Sequence, residues 1–167
     1  MILAKNLENL GTESAFSVLA EAKALEAKGH PMIHLGLGQP DFKTPKHVVE
    51  AAKKALDDGH HGYVMSNGIP ECREAVTRWI KKQYDANVDP ERILIMPGGK
   101  PTMSYAIQCF GEPGAEIIHP TPAFPIYESM INYTGSTPVP YDLTEDKDLK
   151  FDPDKILSLI TDKTRLL

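Results

Sequence analysis

With 167 residues, 41% apolar and 25% charged, the chain has material for one domain with a real core and the make-up of an ordinary globular protein. Its formal net charge of −5 argues against a general nucleic-acid surface. The only cysteines, Cys72 and Cys109, form neither a disulfide framework nor a metal spacing, and no apolar run approaches membrane-spanning length. Met1-Ile2-Leu3-Ala4-Lys5 also lacks the charged region and long apolar block of a secretory signal, so a reducing cytoplasm is the expected compartment.

In chain order, Thr12 to Lys28 reads as a helix with a loose apolar stripe of Phe16, Leu19, Ala20 and Ala22, closed by Gly29. Pro31 to Leu35 is a short extended run entering Gly36-Leu37-Gly38-Gln39-Pro40-Asp41-Phe42, a loop dense in turn residues. Thr44-Pro45 opens a second helix, with Val48, Val49, Ala52, Ala55 and Leu56 at helical spacing and Gly59 after its end. His60 to Gly68 is irregular, and Ile69-Pro70 starts a third helix through about Tyr84. Cys72, Val76, Trp79 and Ile80 are expected to be its buried face, with Arg73, Glu74, Arg78, Lys81 and Lys82 in water.

Ile93-Leu94-Ile95-Met96 then reads as a strand, Pro97-Gly98-Gly99-Lys100 as a turn and Pro101 to Phe110 as a helix. Ala115 to His119 is the next strand, leading into Pro120-Thr121-Pro122-Ala123-Phe124. Glycine permits positive φ and close backbone approach, and Pro101 suits the first helical position. The free amides of that helix start form an anion site, and Lys100 adds charge beside it. In a parallel arrangement Phe124 lies on the same edge of the sheet, so an aromatic face joins the anion cradle. That pairing suits a phosphorylated, planar ligand.

Phe124 to Tyr133 is a further helix ended by Gly135, and Thr137 to Asp142 is extended, with two prolines that suit an edge strand. Asp152 caps a helix with Pro153 in its first turn, and Thr164 to Leu167 reads as a strand just beginning. From Arg92 onward short apolar strands alternate with amphipathic helices, which predicts an α/β sheet with helices on its faces. The chain stops inside its last strand, so it is expected to be a truncated piece of a larger protein.

Two familiar glycine motifs fail. For a nucleotide P-loop ending at Gly99-Lys100, the first glycine falls at Leu94 and Pro101 replaces the required Ser or Thr. For a dinucleotide fingerprint on Gly36-x-Gly38, the third glycine position is Asp41. The six histidines form no zinc pattern, and no metal site is expected. Taken singly, a tyrosine in a loop such as Tyr63 is more often packing than ligand, a lone Phe124 is more often core than a stacking platform, and Lys100 is compatible with a solvated turn.

Five stretches in order resemble the class I/II aminotransferases, the fold-type I enzymes that use pyridoxal 5'-phosphate. They are Leu35 to Pro45; Tyr63 with Gly68 to Ala75; Gly98-Gly99-Lys100-Pro101; Glu112-Pro113-Gly114-Ala115-Glu116; and Pro122-Ala123-Phe124-Pro125-Ile126-Tyr127. The resemblance covers nearly the whole chain. It implies a three-layer α/β/α large domain on a mostly parallel sheet. Residues 1–45 then belong to the small domain, dimer arm and active-site loop, and 46–167 form the first part of the large cofactor-binding domain.

The resemblance also implies roles. Gly98, Gly99 and Lys100 occupy the phosphate-cradle loop, although Lys100 stands where Ser or Thr is often found. Phe124 matches the aromatic that stacks on the pyridine ring. Tyr63 matches a tyrosine reaching the phosphate of the neighbouring subunit, which implies a homodimer. Gly38 matches a backbone position lining the substrate carboxylate. The implied reaction moves an amino group between an amino acid and a 2-oxo acid, the ring acting as electron sink. The Schiff-base lysine, ring aspartate and carboxylate arginine of the family follow the strand that begins at Thr164, so no catalytic residue is assigned here and the 167 residues alone are expected to be inactive. The alternatives are a related lyase or synthase on the same fold, or a non-enzymatic fragment acting in assembly or sensing.

Overall fold

The structure is a computed structural model that describes residues 2–11, 15–145 and 148–167. The chain forms two compact units, Met1–Met32 with Gly98–Leu167, and Ile33–Pro97. The expected helix start at Thr12 lies outside the described residues.

The first unit contains a 3-10 turn at Lys5–Asn9 and helix α1, Ala15–Glu26, which buries none of its residues. After Gly98 come α4 (Gly99–Phe110), β1 (Glu116–Thr121), α5 (Ile126–Thr134), β2 (Thr137–Asp142), α6 (Pro153–Ser158) and β3 (Thr164–Leu166). The three strands form one sheet in the order β2-β1-β3, with β1 parallel to both neighbours. This is the α/β arrangement with a parallel sheet that the alternation of strands and helices predicts.

Packing follows from the central strand. Ile117 on β1, Ile107 on α4, and Met130 and Ile131 on α5 are buried together, with Ile126, Tyr127, Tyr133 and Leu166 against them. Burying a large apolar side chain stabilises the fold by roughly 1.5–3 kcal/mol. β2 lies at the edge, where Pro138 and Pro140 remove no ladder bond from a second neighbour. α5 ends at Gly135, whose φ of +79° a side-chain-bearing residue rarely adopts. α6 starts as expected: the Asp152 carboxylate accepts from the Lys155 N–H at 3.3 Å, and Pro153 occupies the first turn. The Asp152 N–H donates to the Tyr141 hydroxyl at 2.6 Å, which joins the cap of α6 to β2.

The second unit holds α2 (Lys46–Asp57), α3 (Pro70–Tyr84) and a 3-10 turn at Pro90–Arg92. Two expectations are corrected here. Ile93 to Met96 is extended but joins no ladder; the Ile95 N–H donates to the Asn67 carbonyl at 3.1 Å. A strand needs a ladder partner, and this run has none among the described residues. On α3 the expected faces are partly reversed. Arg73 is buried at 2% exposure, whereas Trp79 is 52% exposed. In the first unit, Pro101 is the third residue of α4 rather than its first, because the helix begins at Gly99. Among the described residues, no helix is long and apolar enough to cross a membrane.

Candidate functional site

The chain enters α4 through Gly98, whose φ of +104° and ψ of 161° lie outside the comfortable range of other residues. No side chain caps the helix, and its first turn carries no acidic residue. The Gly98 and Gly99 amides stand at this helix start with no side-chain cap among the described residues, while Pro101 has no N–H to satisfy. The Thr102 hydroxyl donates to the Gly98 carbonyl at 3.1 Å, which fixes the turn from the inside. Backbone donors, the positive end of the helix dipole and the Lys100 ammonium together favour an anion.

Phe124 sits in the loop between β1 and α5 and is 37% exposed. The Lys100 Nζ lies 5.3 Å from its ring centroid. The parallel sheet explains this approach: α4 leads into the start of β1, so the beginning of α4 meets the loop that leaves the end of β1. Phe16 on α1 also comes within 5.9 Å of the same ammonium. That contact had no signal in the sequence, since it joins segments far apart in the chain. Each cation–ring contact contributes about 0.5–1 kcal/mol at an exposed site.

A cleft of about 390 Å³ borders Phe124 and is lined in part by Asn9, Leu10, Gly11, Glu128 and Ser129. The Gly11 N–H donates to the Ser129 hydroxyl at 3.0 Å, which ties the N-terminal segment to α5 beside Phe124. The first unit thus brings together Gly98, Gly99, Lys100 and Phe124. Gly38 and Tyr63 belong to the second unit: Gly38 is exposed with nothing within 4 Å of where a Cβ would stand, and the Tyr63 side chain is fully exposed.

The fold is α/β on a parallel sheet, and at its carboxyl edge the backbone donors at Gly98 and Gly99 fit a phosphate and the ring of Phe124 fits a flat partner. The family model for aminotransferase class I and II matches residues 30–167. Aspartate aminotransferase of Bacillus subtilis is 31% identical over 167 residues, covering 100% of this chain and 42% of that protein. Aspartate aminotransferase of Pyrococcus horikoshii is 38% identical over 141 residues, 84% of this chain and 36% of that one. The solved structure of alanine aminotransferase from Pyrococcus furiosus superposes with a TM-score of 0.88 at 31% identity, covering 98% of this chain and 42% of that chain. The chain belongs to the class I and II aminotransferase family. It spans about 42% of the length of relatives such as the Bacillus subtilis enzyme.

Proposed function

We propose that these residues form the phosphate- and ring-holding part of a pyridoxal-phosphate-dependent aminotransferase acting on an amino acid and a 2-oxo acid. The observation that carries the reading is the Lys100 ammonium 5.3 Å from the Phe124 ring, at a helix start entered by a positive-φ glycine. Gly98, Gly99 and Lys100 hold the phosphate through backbone N–H groups and one cation, and Phe124 supplies the stacking face. When bound, the cofactor supplies an electron sink for the carbanion formed at the amino acid Cα. Gly38 lines the substrate carboxylate with its backbone, and Tyr63 reaches the phosphate held by a second copy, so the working unit is a cytoplasmic homodimer. On this reading residues 1–45 belong to the small domain and active-site loop and 46–167 to the large domain. Relatives are named for aspartate, for alanine and for aspartate/prephenate, so the amino-acid class rather than one substrate is assigned.

The test is a titration of the chain with pyridoxal phosphate, repeated in inorganic phosphate. The reading expects saturable binding that phosphate weakens. Binding indifferent to phosphate, or none, overturns it. The 167 residues alone contain no lysine matched to the family's Schiff-base position, so they are expected not to turn over aspartate with a 2-oxo acid. Sustained turnover by the purified chain contradicts that expectation.

A further inference from the structure

Arg73 is the buried charged residue that the site described above does not use. Its side chain is 2% exposed, although it sits in the first turn of α3, where water is within easy reach of a long side chain. Nη1 donates to the Pro90 carbonyl at 3.1 Å and to the Glu91 carboxylate at 2.8 Å. Nε finds no acceptor among the described residues. A buried guanidinium with one N–H unmatched is a costly way to gain stability alone.

The surroundings show what it holds. The 3-10 turn Pro90–Arg92, closed by the Asp89 carboxylate accepting from the Glu91 N–H at 2.9 Å, is the segment that Arg73 grips. That turn leads directly into Ile93 to Pro97 and so, covalently, into Gly98. Three residues past the turn, the Ile95 N–H donates to the Asn67 carbonyl at 3.1 Å. Gly68 has φ +100°, and a Cβ on it would stand 2.6 Å from the Ile95 Cγ1. The irregular stretch that carries Tyr63 and the extended stretch that feeds the Gly98 turn therefore touch backbone to side chain, and Arg73 ties α3 to the turn ahead of the second stretch. In the absence of any sheet ladder on Ile93 to Met96, these contacts are what holds that run in place among the described residues.

We infer that Arg73 is a positioning residue: through Pro90 and Glu91 it keeps the run entering Gly98 in register with the Asn67-Gly68 turn beyond Tyr63. The inference rests on the cofactor reading, because the run matters to binding only if Gly98 and Gly99 hold the phosphate.

The experiment compares wild type, Arg73→Lys, Arg73→Met and Glu91→Gln, with Lys53→Ala on exposed α2 as control. Two quantities are read: hydrogen exchange at the Ile95 amide, and the dissociation constants for pyridoxal phosphate and for pyridoxal. Glu91 is 69% exposed at its side chain, so Glu91→Gln tests the grip without threatening folding. The expected result is faster exchange at Ile95 in Arg73→Met and Glu91→Gln, with partial rescue in Arg73→Lys. Their affinity for pyridoxal phosphate falls on the order of tenfold, because a run out of register no longer presents the Gly98 turn to the phosphate. Affinity for pyridoxal stays unchanged, a split that general destabilisation does not produce. If wild type binds pyridoxal phosphate through its phosphate and these variants bind equally well, the inference fails and the cofactor reading stands. If wild type does not bind it, both fail together. Faster exchange with no change in the phosphate preference leaves Arg73 a packing residue and also overturns the inference.

Discussion

Gly98 and Phe124 make different demands on their neighbours. Gly98 is held at φ +104°, so Gly98→Ala forces a strained backbone into the turn, at a cost of about 1–2 kcal/mol. The expected outcome is weaker binding of pyridoxal phosphate by roughly tenfold, measured by titration, with the helix content of the chain retained. Phe124→Ala removes the ring but leaves every backbone donor in place, so it weakens pyridoxal phosphate and pyridoxal alike. Glu91 behaves unlike its exposed counterparts. Pairs such as Lys53–Glu50, open to water on both sides, contribute about 0–1 kcal/mol. Glu91→Ala strips the partner from a buried guanidinium, and a loss of roughly 1–3 kcal/mol in urea unfolding is expected. Arg73 also marks where reading by residue type fails. Its place at i, i+3 and i+7 with Val76 and Ile80 puts it on the buried stripe, but charge alone assigns it to water.

At the scale of elements, local signals were legible and partner-dependent ones were not. Pro70 opens α3, Asp152-Pro153 opens α6 and Gly135 ends α5 where the residue chemistry says they do, because caps and turns are set within a few residues. Asp152→Ala removes the N-cap oxygen and is expected to cost about 0.5–2 kcal/mol by thermal or urea unfolding. Ile93 to Met96 has the composition of a strand, yet a ladder is a property of two segments and composition describes one. The junction of α4 with β1 hides a further dependence. A Cβ on Gly111 would stand 2.5 Å from the Thr134 Oγ1 and 2.8 Å from the Ile107 carbonyl. Gly111→Ala is therefore expected to destabilise the unit by about 1–3 kcal/mol through overpacking, with Thr134→Ser unable to relieve the backbone clash.

For the whole molecule, the order turn, helix, strand, loop places Gly98, Lys100 and Phe124 on one edge of the sheet, and the structure brings Lys100 and Phe124 within 5.3 Å. The contact of Phe16 with Lys100 needed the folded chain, since nothing in the spacing of residues 16 and 100 relates them. Membership of the class I and II aminotransferase family rests on the match over residues 30–167. The central claim is that the backbone turn at Gly98–Lys100 recognises a phosphate carried by a flat ring. The most direct measurement is the ratio of dissociation constants for pyridoxal and pyridoxal phosphate, taken on wild type and on Gly98→Ala. The account predicts a wild-type preference for the phosphorylated form of at least about tenfold, as for one or more charge-assisted hydrogen bonds, and its collapse in the variant. Equal affinities in wild type, or a preference that survives Gly98→Ala undiminished, contradict it.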